Sequence, residues 1–183
     1  YLAAPSVAYE SGNLNLSSMR NIDISGMTIV RFDGSFRNTV YFDLLAGRPL
    51  PGAADAFERS VTAPSFVNIM RSTKTRTGFV RVGDRILVIA AAQVFRSDES
   101  GTPLGYLIMG KEVSDVDVRE ALQLPATISR AGSKQRPIVS HTAARATIVE
   151  PIAGIKGTPV AAIRFSVPRS LHQEGLALLW ITL

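Results

Sequence analysis

Apolar residues in this chain fall into short blocks separated by turn formers, and the densest series lies between Arg76 and Val113. A short block ends at the Gly83-Asp84 turn, and a long one runs from Ile86 to Phe95. The polar stretch from Arg96 to Pro103 is rich in residues that favour tight reversals, and Leu104 to Lys111 then runs back. No polar residue interrupts Ile86 to Ala92. A strand with one wet face alternates, so this run predicts a central strand buried on both sides. Three consecutive antiparallel strands result.

Upstream, Leu14, Leu16 and Met19 among polar neighbours predict a helical turn or two within Tyr1 to Asn21. Met27 to Phe32 reads as a strand, Asp33-Gly34 as a hairpin turn and Phe36 to Phe42 as its partner. Gly47 to Gly52 breaks the pattern. Ala53 to Ser60, following Pro51, and Ser65 to Arg71, opened by Ser65 after Pro64, read as helices. Downstream, Ser114 with Asp115 and Asp117 provides an N-cap and an acidic first turn for a helix to about Leu122, ended by Pro125. Ala126 to Arg130, Arg145 to Pro151 and Pro159 to Val167 read as strands, the last two joined by Gly154 to Gly157. Pro168 fits the first turn of a closing helix, Arg169 to Leu183.

This order predicts an α+β domain: an antiparallel sheet flanked by helices, a smaller C-terminal strand set and a closing helix. Residues 1–183 form one domain, with a core over 1–113, an additional helix and strands over 114–167, and the closing helix from 168. Strand-strand-helices-strand-strand-strand is the element order of PAS-like and Cache-like sensor domains, an analogy of fold that does not set function.

Composition narrows the function classes. A hydrophobic content of 46% with 19% charged residues is globular. Cysteine is absent, which removes disulfides, thiolate metal sites and thiol nucleophiles. The net charge of +5 comes from scattered Lys and Arg, the densest cluster being Arg71 to Arg76, and does not support nucleic-acid binding. Tyr1 in place of an initiator methionine reads as a fragment or a processed chain. The run from Leu176 to Leu183 is apolar to its end. It fits either an amphipathic helix on the core or the start of a longer membrane segment, with Trp180 as an interfacial aromatic.

Catalytic and metal-binding patterns are missing. The two histidines are His141, in a polar and solvated loop, and His172, which lacks the second histidine of a zinc-protease helix. No nucleophile elbow, phosphate-cradling loop or dinucleotide fingerprint occurs. Asp98-Glu99 is turn chemistry, and Asp115 with Asp117 is helix-start chemistry. The expectation is a non-enzyme with no cofactor, no metal and no catalytic residue. A ligand pocket is easier to argue. Ala90, Ala91 and Ala92 leave room against one face, for a ligand or for a close-packed helix. Gln93 and Tyr106 put polar groups near that sheet, and Tyr41 and Arg76 are the residues that can join them. An arginine there suits a carboxylate ligand.

Several stretches together resemble a known family. Asn15-Leu16 before Ile22-Asp23, a strand ending Phe32-Asp33-Gly34, and Gly78 ahead of Val82-Gly83-Asp84 are similar to the fourth class of CHASE sensor domains. So are Ile86 to Val94, Pro103 to Lys111 and the closing Gly157 to Arg169 followed by Gly175. The resemblance implies a periplasmic or extracellular input domain of a bacterial transmembrane receptor. It would be tethered by flanking membrane helices and would work as a homodimer in the full-length receptor, upstream of a histidine kinase or a cyclic-di-GMP synthase/phosphodiesterase. It also implies that Leu176 to Leu183 enters the second membrane helix. The family tends to show proline-isoleucine where Gln93-Val94 stands and arginine where Lys111 stands, and its usual opening helix is expected upstream of Tyr1.

Three functional readings follow. A small-molecule sensor needs a closed pocket near Gln93 and Tyr106. A ligand-free interaction or dimerisation module needs that space filled and an apolar patch exposed. A soluble flavin-binding or similar enzyme is the third.

Overall fold

The computed structural model describes residues 14–34, 37–95 and 101–169, which divide into two compact units with the chain passing between them at Glu112–Val113. The first unit opens with helix α1 (Leu16–Asn21), capped by the Asn15 side chain accepting from Ser18 N at 2.9 Å. Strands β1 (Gly26–Arg31), β2 (Arg37–Asp43) and the short β3 (Arg48–Pro49) follow. Helices α2 (Pro51–Val61) and α3 (Pro64–Ser72) come next, each with proline in its first turn, where the missing N–H is not needed. No side chain caps either helix; Ala63 rather than Ser65 holds the cap position of α3.

Strands β4 (Thr75–Val82), β5 (Arg85–Val94) and β6 (Gly105–Glu112) complete a six-stranded antiparallel sheet ordered β3-β2-β1-β6-β5-β4. Gly83, at φ +60, makes the β4–β5 turn that the sequence predicts, and Gly34, at φ +74, follows β1 in the same way. Residues 35, 36 and 96–100 of the two expected turns lie outside the described residues.

Two expectations for β5 need correction. The middle of the sheet is β1 and β6, while β5 lies one strand from the β4 edge. Its burial also alternates: Leu87, Ile89 and Ala91 are buried, but Val88 and Ala90 on the other face are exposed. Among the described residues the apolar run is therefore half-wet, since α1 and its neighbours pack on the second face over β2, β1 and β6. There Leu14, Met19 and Met27 form a cluster with Ile24, Val40, Phe42, Leu44, Leu107 and Met109.

The second unit contains α4 (Asp115–Leu122) and strands β7 (Ala126–Arg130), β8 (Ile138–His141), β9 (Arg145–Ala153) and β10 (Pro159–Pro168). They form a four-stranded sheet ordered β7-β10-β9-β8. The expected cap of α4 is a full capping box: Ser114 Oγ accepts from Asp117 N, and the Asp117 carboxylate accepts from Ser114 N at 2.8 Å. β8 is unforeseen. It places His141 at the end of an exposed edge strand rather than in a loop. Pro168 ends β10 opposite Arg145, and the expected closing helix beyond Arg169 lies outside the described residues. No helix among the described residues is long and apolar enough to cross a membrane.

Candidate functional site

Strand register sorts the side chains of the first sheet into two faces. Gly26 stands opposite both Tyr41 and Gly110, Val30 is opposite Tyr106, Gln93 is opposite Tyr106, and Arg76 is opposite Ala91. Counting in twos along each strand, Tyr41, Arg76, Gln93 and Tyr106 all project from one face. That shared face is the one α2 and α3 cover. Phe57 of α2 sits where the paired glycines leave space: a Cβ at Gly26 would lie 3.0 Å from Phe57 Cε1, and one at Gly110 3.2 Å from Phe57 Cζ. Ala91, which is buried, gives α3 similar room against β5.

The four residues do different things on this face. Tyr106 is fully buried between Phe32 and Phe66, and its hydroxyl donates to Val61 O at the end of α2 at 3.2 Å. Gln93 Nε2 donates to Met70 O on α3 at 2.7 Å. Each thus ties one helix to the sheet. Arg76 is exposed on the edge strand β4. Tyr41 packs edge-on against Phe57, with ring centroids 6.0 Å apart, and its hydroxyl donates to Glu112 Oε1 at 2.6 Å.

Glu112 is the centre of a network absent from the sequence expectation. Arg85 Nη1 reaches both of its carboxylate oxygens, at 2.6 and 2.8 Å, and Arg85 Nη2 lies 3.9 Å from Asp43. A second polar chain crosses the same face: Thr28 Oγ1 donates to Thr39 Oγ1, which donates to Glu58 of α2 at 2.8 Å. Lys111, on the opposite face, donates from Nζ to Asp23 Oδ2. The period of two along β6 already placed Glu112 with Tyr106, so parity was the signal available for it.

Beside this network lies a groove of about 290 Å3, lined by Thr39 to Phe42 of β2 together with Pro49, Pro51, Ala54 and Asp55. It forms because β3 pairs only with Phe42 and Asp43, leaving the rest of the β2 edge facing the start of α2. Of the four expected ligand residues, Tyr41 lines it.

Burial, and then the Glu112 hydrogen bond, push the Tyr41 hydroxyl far above the usual tyrosine range. Burial pushes Tyr106 up to about 12, against the lowering effect of Arg37 and Arg71. A folded-state pKa above the unfolded value of 10.0 means that both states hold the proton below about pH 10 and the folded state alone holds it above. Stability is therefore expected to fall from about pH 10 towards pH 12, at up to roughly 1.4 kcal/mol per pH unit per tyrosine. Urea unfolding across that range checks it. Tyr106→Phe should show a shallower decline than the parent, and parallel declines would refute the assignment.

A twisted antiparallel sheet with helices across one face, followed by a smaller sheet, defines a PAS-like or Cache-like sensor fold. Solved structures share it. The chain is similar to the extracellular domain of a protein named as a histidine kinase, vpHK1S-Z8, at a TM-score of 0.51 and 11% identity, covering 93% of this chain and 78% of that one. It is similar to a domain of a protein named as sensory box/GGDEF family from Vibrio parahaemolyticus, at 0.53 and 11%, covering 93% and 82%. No curated protein sequence matches it. The CHASE4 domain family matches residues 1–124, and the chain belongs to that family. It is a sensor domain that lies outside the cytoplasmic membrane.

Proposed function

We propose that this domain perceives its signal at the β2–α2 groove and passes it on through Tyr41 and Glu112, without catalysis. The observation that carries this reading is a physical link. Tyr41 lines the groove, its hydroxyl is bonded to Glu112, and Glu112 is the last residue of β6, directly before Val113, where the second unit begins. An occupant that favours one of two Tyr41 arrangements changes how the end of β6 is held. It shifts the equilibrium only by its differential affinity, and a swing from almost none to almost all requires roughly 5.5 kcal/mol. Tyr106 and Gln93 then act as ties that hold α2 and α3 in place, and Arg76 as an edge residue open to an anionic group. The intact receptor is tethered through flanking membrane helices and has a histidine kinase or cyclic-di-GMP output, as the CHASE resemblance and the two structural neighbours support.

Homodimerisation is a second part of the proposal, supported by Ile138 and Val139, which stand more than half exposed on the edge strand β8. Apolar side chains on an open strand edge are a ready surface for pairing with another chain. Native mass spectrometry of the purified protein tests both ideas, with the denatured sample as reference. A small mass held only in the native state, and lost in Ala54→Phe, which fills the groove, is the expected result. A small mass retained equally by that variant would place the ligand elsewhere. A dimer dissociated by Val139→Asp supports the β8 surface, and a monomer at all concentrations rejects it.

A further inference from the structure

The second unit has a groove of its own, of about 480 Å3, where β7 starts and β10 runs on past it. We propose that it binds a phosphate group, held by the guanidinium groups of Arg119, Arg145 and Arg164. This site is separate from the β2–α2 groove and does not depend on the role proposed there.

Register places Arg164 opposite Thr127, Ser166 opposite Thr147 and Arg145 opposite Pro168, so these side chains rise from one face of the sheet. Arg145 does not extend away from it. Its Nη2 donates to Ser166 O at 3.2 Å, which brings the guanidinium from β9 across to β10. Arg119 reaches in from α4, with Nε donating to Ala126 O at 3.3 Å at the start of β7. Each bond uses one of the five N–H donors of its guanidinium and leaves the others for a ligand. Arg164 makes no hydrogen bond or ion pair among the described residues.

Negative charge in the groove falls short of this. Asp115 lies 3.9 Å from Arg119, and its other oxygen already accepts from Ile128 N at 2.7 Å. Glu150 stands opposite Ile163, on the other face. Three arginines therefore line the groove, and the carboxylate beside Arg119 is already engaged. Because they come from a helix and two different strands, they approach from different directions. A planar carboxylate is satisfied by one guanidinium fork, whereas a phosphate presents several oxygens to several donors at once. The ligand is either a soluble phosphate ester or the headgroup of an anionic lipid.

Calorimetric titration of the whole protein with glycerol phosphate, and co-sedimentation with vesicles of phosphatidylcholine with and without phosphatidylglycerol, test the proposal and separate the two sources. Binding of glycerol phosphate without vesicle binding identifies a soluble ester; vesicle binding that requires phosphatidylglycerol identifies a headgroup. In either case Arg164→Ala is expected to weaken binding at least about tenfold, the loss of one charge-assisted hydrogen bond or more, and Arg164→Lys to weaken it less. Arg164 is exposed, so an unchanged circular dichroism spectrum is expected for both variants. Binding of neither probe, or binding that Arg164→Ala and Arg145→Ala leave intact, overturns the proposal.

Discussion

Gly105→Ala is expected to force β1 and β6 apart where they pair and to destabilise the first unit strongly. Gly105 stands opposite Arg31 on β1 and Val94 on β5, at the start of one of the two middle strands. A Cβ there would run into the backbone carbonyl oxygen of Val30 and lie 2.9 Å from Arg31 Cα. Both obstacles are backbone, so no side-chain rotation relieves the contact; β1 and β6 must separate. At Gly110 the nearest atom is the tip of Leu87, a flexible group that can yield. The cost of Gly105→Ala is placed at about 3 kcal/mol or more, against a typical total of roughly 5–15 kcal/mol. Gly52→Ala is the control, since no atom lies within 4 Å of its added Cβ and the site is in α2, where alanine is the better helix former. Denaturant midpoints of the two variants and the parent decide the matter. A Gly105→Ala midpoint close to the parent's would show that the strands can part at little cost.

Phe57→Ala is expected to cost about 4 kcal/mol. The ring is fully buried, meets Tyr41 edge-on and rests on two glycines that have no side chains to close the resulting void. Most of the cavity therefore stays open, which is the condition for the upper part of the range seen when a large core residue is truncated. Because Phe57 supports Tyr41, the same change should loosen the wall of the β2–α2 groove and abolish retention of any native-state ligand. Urea unfolding gives the stability and native mass spectrometry gives the retention. A variant that loses stability but keeps the ligand would separate the core role of Phe57 from the groove.

Much of the architecture was written in local pattern. The β4–β5–β6 unit followed from apolar blocks around Gly83-Asp84, and α4 followed from Ser114 and Asp117, because turns and caps depend on a few neighbouring residues. β3 and β8 carry no such local signal. Arg48–Pro49 is too short to carry a period, and Ile138–His141 has no buried face to impose one. The unbroken run in β5 misled in another way. Alanine and valine tolerate partial exposure, so apolarity at Val88 and Ala90 did not mean burial.

The candidate site divides along the same line. Period and composition pick out Tyr41, Gln93 and Tyr106 as candidate ligand residues, whereas their hydrogen-bond partners in the structure are carbonyls on α2 and α3 and the carboxylate of Glu112, far away in the chain. The amino-acid sequence by itself determined most of the strands, the Gly34 and Gly83 turns, the cap of α4 and, through the period of two, which side chains share a face. Only the tertiary structure decided which face the helices cover, that Phe57 fills the hollow over Gly26 and Gly110, and that three arginines of the second unit gather around one groove. Those outcomes depend on long-range packing, where a residue's neighbours in space are not its neighbours in the chain.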